Sequence, residues 1–363
     1  MIPVIVAALR TPIGTSGGAF ASVPAADLAA PVLRALAAGL GEPVRDVVLG
    51  NCTGPGGDVA RFASLAAGLP VDVPGLTVDR QCGSGLAAVD VACALVRSSG
   101  GVVLAGGVES ASTSTRPERA AFAPASLGDP DMGFAADVLA EKFGVSRERQ
   151  DAYAARSHAL AAATRDAGCF DAEVVPVGDV RRDERPRTGL TVERLARLRP
   201  AFRPATDGGT VTAGSSCGVN DGAAAVTVVD ADTHRRLGVP GLRVLATATA
   251  GVDPNLPGLG LVPATEQALD LAGLRVGDLD VVELNEAFAG QVLACCDALS
   301  LDPSRVCVEG GALALGHPWG ASGAVLVVRL FSQLVRASRG RYGLAAIAVG
   351  GGQGVAMVVE RCR

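Results

Sequence analysis

Lysine is nearly absent from this 363-residue chain. Of its 32 basic residues only Lys142 is a lysine, and the rest are arginines. With the abundance of alanine, this is the coding bias of a high-GC genome and carries no function. The basic residues are outnumbered by 37 acidic ones, leaving a formal net charge of −5. A general nucleic-acid binder needs a basic face, and this balance does not provide one. The arginines between Thr188 and Arg203 read as a solvated loop. No apolar run reaches the ~20 residues that cross a bilayer, so a membrane span is not expected. The apolar start, Ile2 to Leu9, has no basic residues before it and no cleavage site after it. It reads as a first strand. The nine cysteines include no C-x-x-C pair and no metal-ligand spacing, so no metal site is expected. Their odd number, with no secretory signal, points to a reducing cytoplasm. Histidine is also scarce, at three residues.

What is present is a large apolar fraction, 49%, enough for several buried layers. It is organised as a repeat. Residues 26–51 read ADLAAPVLRALAAGLGEPVRDVVLGN and residues 264–285 read ATEQALDLAGLRVGDLDVVELN. Each is a helical pattern, a stop containing glycine, and a strand ending at an Asn. Cys82 lies 31 positions after Asn51, and His317 lies 32 positions after Asn285. Both are followed by a helix that begins with small residues, then by a strand ending in glycines, VVLAGG (102–107) or AIAVGG (346–351). Two copies of one α/β unit are expected, and their matching loops should bring Cys82, Asn285, His317 and Gly350 together. The less regular stretch 113–217 reads as an insertion over the core, with an amphipathic helix in RERQDAYAARSHALAAATRDAG. The boundaries expected are 1–112 with 218–238 for the first half, 113–217 for the covering segment and 239–363 for the second half.

Four short motifs carry chemistry. In DRQCGSGLAAVD, Cys82 sits where a strand turns into a helix, a position that favours the thiolate. The structural alternative, a small buried hydrophobe, suits Cys93, Cys295 and Cys307 better. In GGALALGHPWGASGA, His317 lies in an apolar, glycine-rich loop, where it can activate a thiol or bond a thioester oxygen. A core histidine satisfied by backbone is the alternative there. His158 and His234 fall in polar runs and read as solvated. In LNEAFAG, Asn285 is either part of a helix cap or the holder of a water that polarises an oxyanion. In AVGGGQGVAM, the bare N–H groups of Gly350 to Gly352 suit an oxyanion hole for the carbonyl of an acyl group on Cys82. Cysteine and histidine without metal spacing form a nucleophile pair. GSSCG at 214–218 matches the G-x-S-x-G serine motif, but residues 218–230 read as a strand where that motif requires a helix. GNCTGPGG and GGGQG lack the strand–helix context and acidic residue of a dinucleotide loop.

QCGSG, GTVTAG, GVNDGAA, NEAFA, GGALALGHPWGASGA and GGGQGVAM, in this order, resemble the thiolase family along nearly the whole chain. The resemblance implies an α/β fold with a five-layered αβαβα core of two duplicated halves, an inserted loop domain and at least a dimer. It implies that Cys82 takes an acyl group from a CoA or phosphopantetheine thioester, with no permanently bound cofactor, and that His317 activates it. Asn285, through a water, and His317 would form one oxyanion hole; the N–H groups of Cys82 and Gly350 would form the other. Met132, Cys217 and Phe288 would contact substrate.

The chain departs from the family at Ala348, where a second cysteine ordinarily serves as acid and base. Ser215-Ser216-Cys217 stands where Asn, a small residue and Ser are usual, and Asp131-Met132-Gly133 where His-Met-Gly is common. The stretch from Ser110 to Asp131 is short, which favours a dimer over a tetramer and admits an acyl carrier protein as donor. The reading ranked first is a thiolase-like acyltransferase. It passes the acyl group to a carbon nucleophile without a second cysteine as base. The alternatives are transfer to an amine or alcohol, an ordinary acetyl-CoA acyltransferase with a relocated base, and a non-catalytic scaffold that binds acyl thioesters.

Overall fold

A computed structural model describes residues 2–114 and 120–363. Residues 115–119, within the short stretch from Ser110 to Asp131, lie outside the described residues. The first half runs β1 (Val4–Arg10), β2 (Gly14–Thr15), α1 (Ala25–Ala38), β3 (Val44–Gly50), α2 (Val59–Ala66), β4 (Gly75–Val78), α3 (Ser84–Ser99) and β5 (Val102–Ser110). Helices α4 (Met132–Lys142), α5 (Arg147–Asp166) and α6 (Val192–Leu195) come next, before the chain returns to the sheet as β6 (Asn220–Val229). The short α7 (Ala231–Leu237) leads to β7 (Gly241–Gly251), α8 (Leu261–Ala272), β8 (Val281–Leu284), α9 (Ala289–Ala298), α10 (Ala312–Leu315), α11 (Trp319–Phe331), β9 (Tyr342–Val349) and β10 (Gln353–Cys362).

The repeat read from the sequence is also a repeat of strand pairing. In the first half β3 lies parallel to β5, β5 antiparallel to β6, and β6 antiparallel to β1. In the second half β8 lies parallel to β9, β9 antiparallel to β10, and β10 antiparallel to β7. The two sets touch at one short seam, where Val4 and Ile5 pair with Arg243 and Leu242.

Side chains alternate across each strand, so one strand feeds two layers. Along β10, Val355, Met357 and Val359 enter the central core, while Ala356 and Val358 face the other way. The central core is filled by Leu86, Val89 and Cys93 of α3 and by Ala324, Val327 and Val328 of α11. Outside the first half, α1 packs through Leu28 and Leu33; outside the second, α8 and α9 pack through Leu261 and Val292. The result is five layers, helix–sheet–helix–sheet–helix, with α3 and α11 sealed in the middle. These two helices meet on glycine. A Cβ added at Gly85 would lie 2.8 Å from the Gly320 carbonyl oxygen, and one at Gly323 would lie 2.5 Å from Leu86 N. This is why both helices open with small residues. Their N-termini, which follow Cys82 and His317, approach one place.

The segment 113–217 is tied down by polar groups as much as by apolar ones. The buried face of α5 carries Gln150, Asp151, Ser157 and His158 beside Tyr153 and Ala154, so it is less amphipathic than the sequence predicts. Arg10 of β1 donates to Glu173 and Asp183, and Arg329 of α11 pairs with Glu173 and Glu309, all buried. Between Thr188 and Arg203, Leu195 of α6 is buried, while most of the arginines there remain exposed as expected.

Candidate active site

The turn before α3 is strained where the chemistry is expected. Gln81 has φ +46°, a left-handed conformation uncommon outside glycine. The Ser84 hydroxyl holds the turn, accepting from Arg80 N–H at 2.8 Å and donating to Gln81 O at 2.6 Å. Cys82 is thereby set with its sulfur within hydrogen-bonding reach of the Gly350 N–H and of its own N–H. Gly350 opens the turn between β9 and β10. A Cβ there would press on the Phe122 ring at 2.9 Å, and Gly351 and Gly352 follow at φ +80° and +77°. All three glycines of the knot are therefore required, one by close approach and two by backbone conformation.

Burial pushes the Cys82 thiol up to about 12, against the pull of the Gly350 and Cys82 N–H groups. This corrects the expectation of a lowered value. The start of a helix contributes only ~0.3–2 kcal/mol, and the desolvation of a buried thiolate outweighs it.

His317 sits in the loop before α11. Its backbone N–H donates to Asn220 Oδ1 at 3.0 Å, and its Nδ1 lies 2.6 Å from Ser322 Oγ. Burial lowers the imidazole to about 4, so it is neutral at pH 7. Cys82 and His317 line one narrow, mainly apolar cavity of about 100 Å³, together with Met132, Cys217, Phe288 and Ala348. Asn285 does not line that cavity. It borders a second, smaller one, with Glu283 and Arg329, and its Nδ2 approaches His317 Nε2 at 3.5 Å.

Cys217 and Phe288 are placed by a short strip of pairing between segments far apart in sequence. Ser216 pairs with Phe288, Cys217 N–H donates to Ala287 O at 2.9 Å, and Ala289 N–H donates to Ser215 O at 2.9 Å. The chain after Cys217 enters strand β6, so the serine-hydrolase motif lacks its helix. Met132 opens α4. The preceding Asp131 caps that helix, accepting from the N–H groups of Gly133 (2.9 Å) and Phe134 (3.3 Å). This accounts for its departure from the family pattern by local structure.

The cap reading of the Asn285–Glu286 pair fails. Helix α9 begins at Ala289, with Phe288 before it and no side-chain cap. Glu286 instead accepts from Tyr153 Oη at 2.9 Å and Ser157 Oγ at 2.6 Å, which fastens α5 over the site. His158 and His234 are both buried, contrary to the solvated reading. His158 Nδ1 accepts from Arg187 N–H, and His234 Nε2 lies 2.8 Å from Val239 O. Cys93, Cys295 and Cys307 are buried, as their apolar surroundings predict.

Sequence reasoning passed over Trp319 and Gln291, which also line the cavity, and Asn220 and Ser322, which hold His317. Trp319 and Ser322 lie within five residues of His317, so the motif around it contained their signal. Asn220 and Gln291 become visible only once their elements are packed.

Two family models match the chain: "Thiolase, N-terminal domain" over residues 3–232 and "Thiolase, C-terminal domain" over residues 240–361. A Bacillus subtilis (strain 168) protein named putative acetyl-CoA C-acetyltransferase YhfS is 45% identical, covering 99% of each chain. An acetyl-CoA acetyltransferase of Pseudomonas aeruginosa is 42% identical, again covering 99% of both. The crystal structure of the Bacillus anthracis acetyl-CoA acetyltransferase is similar with a TM-score of 0.91 at 37% identity, covering 99% of each chain.

Proposed function

The chain belongs to the thiolase family and is an acyltransferase, and from that premise we propose that it makes or breaks a carbon–carbon bond between short acyl groups carried as CoA thioesters. The names of its relatives favour this ordinary acetyl-CoA acyltransferase reading over transfer to a carbon acceptor that needs no protein base. The narrowness of the cavity supports a short acyl chain. The observation that carries the reading is that Cys82 and His317 line that one cavity, with the Gly350 N–H within hydrogen-bonding reach of the Cys82 sulfur.

In the first half-reaction the Cys82 thiol gives its proton to His317 Nε2 as sulfur attacks the thioester carbon. A C–S bond forms, the oxyanion is held by the N–H groups of Cys82 and Gly350, and the CoA sulfur leaves with the proton from His317. Both partners rest neutral, so charge develops only as the reaction proceeds, where fixed donors stabilise it most. Asn285, through a water, and His317, once its Nε2 carries a proton, hold the oxygen of the second thioester as its enolate forms.

Intact-mass measurement after mixing with acetyl-CoA tests this. One acetyl group should appear on Cys82 and be absent from Cys82→Ala. No adduct from acetyl-CoA, but one from an acetylated carrier protein, would make the carrier protein the donor; no adduct from either would leave the scaffold reading. A homodimer is part of the same proposal. Among the described strands β4 is an edge, and Leu76 on it is exposed. A monomer or a tetramer by light scattering would overturn that part.

A further inference from the structure

We propose that Cys217 is the proton carrier of the carbon–carbon bond step, with Arg185 as its positioning residue. The inference rests on the acyltransferase reading above and names the group that reading still needs. Joining two thioesters requires removing a proton from the α-carbon of the second, and cleaving a β-ketoacyl thioester requires returning one there. Ala348, in the cavity wall, has no proton to give.

Three titratable side chains line the cavity among the described residues: Cys82, His317 and Cys217. Cys82 carries the acyl group in this step, and His317 faces the oxygen of the second thioester. Cys217 alone is unassigned. It is partly exposed to the cavity, unlike Cys52, Cys93, Cys295, Cys296, Cys307 and Cys362, which are buried. Its backbone is held by the bond to Ala287 O, which keeps the residue in the cavity wall.

The surroundings of Cys217 suit a thiol that must ionise on demand. The Arg185 guanidinium packs beside it, so close to Gly218 that an added Cβ there would lie 2.3 Å from Nη1. The buried Nε of Arg185 has no hydrogen-bond partner. Burial, and then the neighbouring Cys82, push the Cys217 thiol up to about 12, while Arg185 pulls it down. Two adjacent thiolates repel, so only one of the two thiols can ionise readily, and once Cys82 is a thioester that one is Cys217.

The step balances. In synthesis, once Cys82 is acylated, His317 Nε2 takes the proton of Cys217, and the Cys217 thiolate takes the α-proton. The enolate carbon attacks the acyl carbon on Cys82, the C–S bond breaks, and the Cys82 thiolate that leaves recovers the proton held by His317. In cleavage the same steps run backwards. Cys82 gives its proton to His317 as it attacks, and the Cys217 thiol protonates the α-carbon as the carbon–carbon bond breaks. His317 restores the proton of Cys217, and the incoming CoA thiol supplies the proton that Cys82 needs.

The test uses Cys217→Ser, which keeps the shape and removes the titratable thiol. In deuterated water the wild type should exchange the acetyl hydrogens of acetyl-CoA and cleave acetoacetyl-CoA. Cys217→Ser should lose both by ~10²–10⁴-fold, with acetylation of Cys82 retained as proof of a folded site. Adding Ala348→Cys to that variant should restore part of the exchange. Arg185→Gln should move the basic limb of the cleavage rate to higher pH and leave acetylation unmoved. Wild-type exchange in Cys217→Ser overturns the inference, as does a wild type that acetylates but neither exchanges nor cleaves. Failure of the wild type to acetylate at all overturns the underlying reading instead.

Discussion

Ser322 Oγ lies 2.6 Å from His317 Nδ1 and 3.1 Å from the Pro318 carbonyl oxygen. A hydroxyl has one proton, and a carbonyl can only accept, so in the arrangement that makes both bonds the hydroxyl donates to Pro318 and accepts from the ring. In that tautomer the hydrogen is on Nδ1, which leaves Nε2 as the basic nitrogen. A serine in the first turn of α11 thus selects the tautomer that can take a proton from Cys82.

Ser322→Ala should remove that selection and leave the Nδ1 proton without a buried acceptor. Leaving a buried polar group unpaired costs ~1–3 kcal/mol, which corresponds to roughly 5- to 150-fold in the acetylation rate if it falls on the reactive tautomer. Single-turnover acetylation of Cys82 reads this directly. Ser322→Thr should keep most of the rate, and equal loss in both variants would point to packing instead.

The acetylation rate should be flat across neutral pH. His317 must be neutral to accept a proton, and burial holds it near 4, while Cys82 stays protonated up to about 12. The rate should fall only as pH approaches about 4, where His317 becomes charged. A fall centred near the ordinary histidine value of ~6.5, measured by rapid quench, would contradict a desolvated His317.

His158 links stability to pH. Burial, with Arg185 and Arg187 nearby, lowers it to about 4 in the folded protein. Between about 4 and the unfolded value near ~6.5 the unfolded chain binds more protons, so stability rises with pH across that window. It is lost as pH falls through the same window. Urea unfolding of wild type and His158→Gln at several pH values should give a shallower acid slope in the variant. Parallel slopes would show that His158 is not buried neutral.

Gly85→Val should separate α3 from α11, because even a Cβ at that position meets the Gly320 carbonyl. Overpacking of this kind costs ~1–3 kcal/mol. The larger effect should be on acetylation, since Cys82 and His317 ride on these two helix starts, and a misplacement of ~1 Å can cost ~10²-fold. Thermal unfolding and acetylation measured together separate the two losses. A variant with full acetylation would show that the helices have slack.

The sequence by itself determined what depends on local order. Asn51 to Cys82 and Asn285 to His317 are spacings along the chain, and they repeat in the pairing of β3–β5–β6–β1 and β8–β9–β10–β7. The glycines at 350–352 and the alanine at 348 are likewise covalent facts, legible before any packing. Tertiary structure alone decided which groups are desolvated and which neighbours they meet. His158 looked solvated among charged residues, yet the segments packed over α5 bury it. Cys82 lay at a helix start that favours its thiolate, yet the second half of the chain closes over it and raises it. Asn285 was aligned with the site, and packing sets its Nδ2 3.5 Å from His317 Nε2 but keeps it out of the wall of the Cys82 cavity. Cys217 was one departure among several until the strip with residues 287–289 put it into the cavity of Cys82. Desolvation and proximity sum over residues remote in sequence, whereas spacing and backbone conformation are properties of the neighbours along the chain.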